Sequence, residues 1–442
     1  MLALPIAESR PVMSVKHLLC LCSLLIPCSA FAFYGDPRPD APDLAAPGAF
    51  SVGVRSEQLV HHDQIDILAT PPGQHHDRPL RVELWYPASL KPGQLPGTAY
   101  TDVLGAGAHD PKRPNTPFQF AGRAVRDAAP TAQGNYPLVI LSHGYPGSRL
   151  QMSYLTEHLA SRGYVVVAID HTDSTRADKA GFASTLLNRP LDDLFVLDQI
   201  AAWARPGSGH WLAGKVDVDH SALIGYSMGG YGALLVGGAG LSQTAVDVVP
   251  GGALQRLQAG TAAYARLHDP RIKALVAFAP WGGRQGFFDA QGLAGLSLPT
   301  LFVVGDQDDV AGYSDGVRRL AEGAVNADRY LLVYQNARHN VAPNPPPPAA
   351  SANADDFSAY SEPAWDSSRL NNLNQHFVTA FLDQQLKGQD RQAYLTLIPQ
   401  SRDGKWAMDA QGKPLPGHTY WAGFKNRSAL GMEFYHWPAA GQ

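Results

Sequence analysis

From Tyr136 to Lys387, short apolar runs alternate with stretches of helical periodicity. That rhythm restricts the fold more than any other feature of the chain. "YPLVILSHG", "YVVVAID", "SALIGYS", "IKALVAFAP", "PTLFVVGD" and "YLLVYQ" are continuous apolar runs, as expected of strands buried on both faces. "LQMSYLTEHLASRG", stopped by Gly163, reads as a helix, as do "PLDDLFVLDQIAAWA", with Pro190 near its start, "SDGVRRLAEGA" and "LNNLNQHFVTAFLDQQLKG". Such alternation predicts an α/β fold with a mostly parallel central sheet and helices on both faces. Upstream, "QLVHHDQIDIL" and "PLRVELWYP", joined through "ATPPGQHHDR", predict a pair of N-terminal antiparallel strands.

The rest of the chain is organised around this block. Residues 1–32 read as a leader. Lys16 and His17 precede the apolar Leu18–Ile26, and Ala30-Phe31-Ala32 offers a cleavage site, so Met13 is the expected start of a signal peptide. The apolar stretch is too short to span a membrane, and Pro27 makes Cys28 a poor lipid anchor. Residues 33–50 are expected to form an extended arm and 51–389 a catalytic domain. Insertions fall near 90–134, which the sequence does not place, and near 341–368, where "NPPPPAASANADD" reads as a mobile loop. Residues 390–442 are expected to form a hairpin-like extension. All three cysteines (Cys20, Cys22 and Cys28) lie in the leader, so an exported chain would carry no disulfide, thiol nucleophile or thiolate-bound metal. A net charge of −4, with both signs mixed along the chain, argues against a nucleic-acid partner.

One strand ends in a sequence with chemical content. Gly225-Tyr226-Ser227-Met228-Gly229 has the G-x-S-x-G form of a nucleophile elbow, a strand-to-helix turn that lifts a serine above the sheet edge. The pentapeptide alone is weak; the strand before it and the small-residue helix start after it carry the weight. The turn is tight enough that side chains two residues either side of the serine would clash, which glycine avoids. The N–H of Met228, the first of the helix, is then a donor for a developing oxyanion.

A nucleophilic serine needs a base and a group that orients it. "LFVVGDQDDV" ends a strand in Asp306, Asp308 and Asp309, and the spacing from Gly305 favours Asp308, with Asp306 next and Asp309 last. His339, in the loop after "YLLVYQ", is the favoured base over His376, which lies inside a helical pattern. The loop "SHGYPGSR" after "PLVILSHG" offers the Tyr145 N–H as second oxyanion donor, and the Tyr145 ring as a substrate wall. Trp281, just past a strand end, is a second substrate-binding candidate on the rim where α/β sheets bind ligands. The pairs His61-His62 and His75-His76 lack a third ligand at metal-like spacing, so no metal site is expected. Asp170 and His171 share the rim without an assigned role.

Taken together, "RPLRVELWYPAS", "YPLVILSHGYPGSR", "RGYVVVAIDHTDS", "SALIGYSMGGYGAL", "PTLFVVGDQDDV" and "NARHN" resemble the α/β-hydrolases. The likeness is to the branch of platelet-activating-factor acetylhydrolases, dienelactone-hydrolase-like bacterial proteins and cutinase-like polyester hydrolases. It covers about Val52 to Lys387 in order. It implies Ser227 as nucleophile, Asp308 as acid, His339 as base, the Tyr145 and Met228 N–H groups as oxyanion donors, and no cofactor. Dienelactone hydrolases use a cysteine nucleophile; the serine here argues against lactones. The expected activity is that of an exported serine carboxylic-ester hydrolase acting on a small-molecule or lipid ester through an acyl-enzyme. A secreted serine peptidase and a non-catalytic binding protein of the same fold are the alternatives.

Overall fold

The apolar runs become strands because each carries side chains for two cores. In the computed structural model, which describes residues 33–441 except 72 and 109, Val165, Val167 and Ile169 enter one core. Val166 and Ala168, between them, enter the other. The expected leader at 1–32 lies outside the described residues. The strands are β1 (Ser51–Ile65), β2 (His75–Ser89), β3 (Thr98–Leu104), β4 (Thr116–Gly122), β5 (Val125–Arg126), β6 (Ala129–Pro130), β7 (Tyr136–Ser142), β8 (Val165–Asp170), β9 (Val216–Tyr226), β10 (Ile272–Phe278), β11 (Thr300–Gly305), β12 (Arg329–Tyr334) and β13 (Met432–Trp437).

The main sheet runs β13-β12-β11-β10-β9-β7-β8-β2-β1-β5, with β6 paired to β2. Strands β12 through β8 in that order are parallel. The expected N-terminal antiparallel pair is β1 and β2, and β2 joins β8 antiparallel. Helices cover both faces. Helix α1 (Ser153–Ser161) and the closing helix Ser367–Lys387 pack on one core; α2 (Phe182–Ala204) and α3 (Met228–Val236) pack on the other. The loops after β7 and β9, which are neighbours in the sheet, therefore depart to opposite faces. A crevice opens between them at the C-terminal strand ends, the general position for a ligand in such sheets.

Three expectations change. Helix α2 begins at Phe182, so Pro190 sits in its interior instead of near its start. Proline cannot donate to the carbonyl four residues back. The hydroxyl of Tyr231, on α3, donates to that Leu186 carbonyl at 3.1 Å, so the acceptor is not orphaned. The proline-rich segment reads as mobile but packs: Ala350 and Tyr360 are buried against Leu104 and Phe118 of the β3–β4 hairpin. Arg113 ties the two insertions together through Asp355 and Asp356. In the tail, the expected hairpin is reduced, among the described residues, to isolated antiparallel bridges between Met408 and Pro414 and between Gln400 and Glu433, and β13 pairs antiparallel with β12.

Candidate active site

The elbow between β9 and α3 holds Ser227 at φ 54°, ψ −110°, a region that non-glycine residues rarely occupy and that costs about 1–3 kcal/mol. The flanking glycines have ordinary φ; they are glycine for space. A Cβ on Gly225 would lie 2.6 Å from the Gly230 nitrogen and closer still to the Gly229 carbonyl. A Cβ on Gly229 would lie 2.9 Å from the His143 carbonyl oxygen and closer to the end of β7. The elbow is pinned from below, where the Ser227 N–H donates to the Phe278 carbonyl and its own carbonyl accepts from the Trp281 N–H.

Above it, the hydroxyl of Ser227 lies 3.0 Å from His339 Nε2. His339 Nδ1 lies 2.9 Å from Asp308 Oδ2 and 3.1 Å from Oδ1. Asp308 is buried, and its Oδ1 also accepts from the N–H groups of Val310 and Ala311 at 2.9 and 2.8 Å. Burial alone would raise its pKa. The imidazole beside it and the two N–H donors outweigh burial and hold it below the usual carboxylate value. The other two acids face elsewhere: Asp306 accepts from the Asn336 N–H at 2.7 Å, and Asp309 pairs with Arg338. His376 is buried in the closing helix. Its Nδ1 accepts from the Leu44 N–H at 3.2 Å, docking the arm 33–50, and burial lowers its pKa to about 3.

Met228 is the first residue of α3, so its N–H has no intrahelical acceptor. Tyr145 lines the same cleft as Ser227 and His339, and its hydroxyl donates to the Ala180 carbonyl at 2.7 Å. Its ring meets Phe182 edge-on at 5.1 Å, Phe182 meets Trp281 at 5.3 Å, and Trp281 meets Phe287 at 4.9 Å. Both aromatic candidates thus belong to one array, but of its rings only Tyr145 lines the cleft with Ser227; Trp281 stands behind it through Phe182. Sequence reasoning missed Glu362, from the second insertion. Its buried carboxylate accepts from the N–H groups of Arg338 and Asn340, both at 2.6 Å, and so clamps the loop on either side of His339.

Comparison with known proteins finds similar ester hydrolases. A family model described as PETase, PET hydrolase-like, matches residues 117–252, a stretch that holds Tyr145, Ser227 and Met228. Cutinase est1 of Thermobifida alba is 26% identical over 49% of this chain and 57% of its own length. The bis(hydroxyethyl) terephthalate hydrolase of Streptomyces coelicolor is 25% identical over 50% of this chain and 56% of its own. The solved structure of a ferulic acid esterase from Streptomyces cinnamoneus superposes with a TM-score of 0.52 at 21% identity, covering 79% of this chain and 94% of that one. The chain has an α/β-hydrolase fold and, over about half of its length, is similar to a cutinase and a terephthalate-ester hydrolase. It spans little more than half the length of the curated relatives it matches.

The protein carries a second serine–histidine–aspartate chain, drawn from the end of β7, the residue after β8 and helix α2. Ser142 Oγ lies 2.9 Å from His171 Nε2, and His171 Nδ1 lies 3.1 Å from Asp192 Oδ2. All three are buried, and Arg78 closes the group with a 2.9 Å bond to Asp192. Burial lowers the His171 pKa to about 3. Beside it the buried Arg189 donates to the carbonyls of His143 and Gly144, directly before Tyr145. The glycine at 232 leaves room for it: a Cβ there would lie 2.7 Å from Arg189 Cγ. This network supports the loop that carries Tyr145. It also gives His171 a packing role on the rim.

Proposed function

We propose that this protein is a serine carboxylic-ester hydrolase that works through an acyl-enzyme on Ser227. The observation that carries the reading is the unbroken hydrogen-bond chain from Ser227 Oγ through His339 to Asp308. In this reading, His339 Nε2 takes the hydroxyl proton as Ser227 attacks the ester carbonyl. Asp308 holds the ring with Nδ1–H toward itself and stabilises the imidazolium that forms. The N–H groups of Met228 and Tyr145 receive the oxyanion; loss of one such donor costs about 10²–10³ in turnover. His339 then protonates the leaving alcohol, and water attacking the acyl-enzyme returns the serine. The relatives' names, cutinase and terephthalate-ester hydrolase, favour an ester over an amide. The Tyr145 ring, backed by Phe182 and Trp281, is the wall for the bound ester.

Turnover of short-chain nitrophenyl esters by the wild type and its loss in Ser227→Ala test the reading; undiminished turnover in the variant overturns it. An amide panel that outruns the esters would favour the peptidase. Failure of a fluorophosphonate to label Ser227 would favour a binding protein. We also propose that the protein is exported. The leader pattern at 13–32 supports this. N-terminal sequencing of the protein recovered outside the cytoplasm should begin near Phe33; an intact residue 1 or 13 there would contradict cleavage.

A further inference from the structure

Ser227 and His339 share a cleft of about 320 Å³ with Arg113, Arg176, Lys179 and Asp355. Its charge is not balanced. Arg113 is taken up by Asp355 and Asp356, which lie on the other insertion. Arg176 Nη1 donates to the Gly105 carbonyl at 3.0 Å, and its guanidinium lies 5.8 Å from the Tyr360 ring centre. Lys179 is exposed, with Nζ 5.5 Å from the Tyr145 ring centre. The carboxylates near these two cations are engaged elsewhere. Asp173 pairs with Arg78, Asp178 accepts from the N–H groups of Asp173 and Thr175, and Asp309 pairs with Arg338. Among the described residues no carboxylate comes within 4.0 Å of the charged nitrogens of Arg176 or Lys179.

The backbone segment that carries the two cations is held in place. Their segment is tied to the loop that carries Tyr145 at both ends: the Gly147 N–H donates to the Ser174 carbonyl at 3.2 Å, and the Tyr145 hydroxyl donates to the Ala180 carbonyl. Two positive side chains thus line the same cleft as Ser227 and His339, with Tyr145 and Tyr226 as its aromatic residues. Unpaired cations in a cleft raise the local concentration of anions and favour a carboxylate, which a guanidinium can bind through two N–H groups.

Resting on the esterase reading, we propose that the preferred substrate is an ester bearing a second, ionised carboxylate, such as a half-ester of a dicarboxylic acid. Arg176 and Lys179 receive the free carboxylate while Ser227 attacks the ester. The reaction is ordinary hydrolysis: the ester C–O bond breaks, water supplies OH to the acyl carbon and H to the alcohol, and the carboxylate in the cleft is unchanged.

The test uses matched esters in two arms. The acyl arm compares nitrophenyl hemiglutarate with nitrophenyl butyrate; the alcohol arm compares 4-carboxyphenyl acetate with phenyl acetate. The expected result is a higher kcat/KM for the charged ester in one arm, residing in KM. That advantage shrinks as salt shortens the Debye length toward about 3 Å. Lys179→Glu and Arg176→Gln should each lower the charged-to-neutral ratio by about 3- to 5-fold, the scale of one partly exposed ion pair. Lys179→Glu changes an exposed side chain and keeps the test independent of folding. Turnover of neutral esters with a ratio indifferent to salt and to both variants in both arms overturns this inference and leaves the esterase reading standing. No turnover of any ester overturns the esterase reading, and this inference with it.

Discussion

Gly225→Ala adds one methyl group where the elbow has no room for it. The new Cβ would lie 2.6 Å from the Gly230 nitrogen and nearer still to the Gly229 carbonyl, against a normal contact of about 3.5 Å or more. Relief therefore needs a shift of about 1 Å between β9 and the start of α3. Neither side yields freely. The Ser227 N–H is bonded to Phe278, its carbonyl to Trp281, and Gly229 is packed against the end of β7. Overpacking of this kind costs about 1–3 kcal/mol of stability. The larger effect falls on chemistry, because a displacement of about 1 Å in a reacting group costs on the order of 10²-fold in rate. The assay is nitrophenyl ester turnover together with urea unfolding. The expected outcome is a fall in kcat of about two orders of magnitude, with a folded protein and a modest loss of stability. Wild-type kcat and unchanged stability would refute the claim that glycine stands at 225 for lack of space.

Other outcomes follow from the same geometry. Asp308→Asn should lower kcat by about 10⁴-fold, since it leaves His339 in the wrong tautomer, whereas Asp306→Asn, whose carboxylate only caps the Asn336 N–H, should stay within a few-fold of wild type. A reversed order would reassign the acid. Glu362→Ala removes both acceptors that clamp the His339 loop; kcat should fall about 10-fold or more, with KM little changed. Equal losses on a slow and a fast leaving group would instead indicate general damage. Finally, burial holds His171 and His376 neutral, each with a pKa of about 3, and lowers His143 and His158 well below the ordinary value. Each takes up a proton on unfolding once pH falls below about 6.5, so stability present above that value should decline as pH falls, for His171 and His376 down to about pH 3, by up to tenfold in the folding equilibrium per pH unit per histidine. Urea unfolding from pH 8 to pH 5 reads this, and a flat profile would contradict the buried neutral histidines.

The parts of this molecule written in local sequence were the ones legible in it. The strands from β7 to β12 announce themselves as apolar runs, and the elbow needs its glycines within five consecutive residues. Asp308 and His339 each lie in the short loop that follows a strand. What was not legible depends on contacts between distant segments. Glu362 reaches the His339 loop from an insertion without periodicity. Arg113 joins an insertion wall to residues 355 and 356, which no spacing foretells. Arg189, Asp192 and Asp193 are charged residues of a helix, yet all three are buried, and Arg189 bonds the loop that carries Tyr145. Pro190 pointed to a helix start because the hydroxyl that satisfies Leu186 comes from Tyr231, on a different helix.

The most direct test of the account is the structure of the protein after reaction with an alkyl fluorophosphonate. Phosphorus should be bonded to Ser227 Oγ, with the phosphoryl oxygen about 3 Å from the backbone nitrogens of both Met228 and Tyr145. Phosphorus on another side chain, or an oxygen turned away from those two nitrogens, would contradict it.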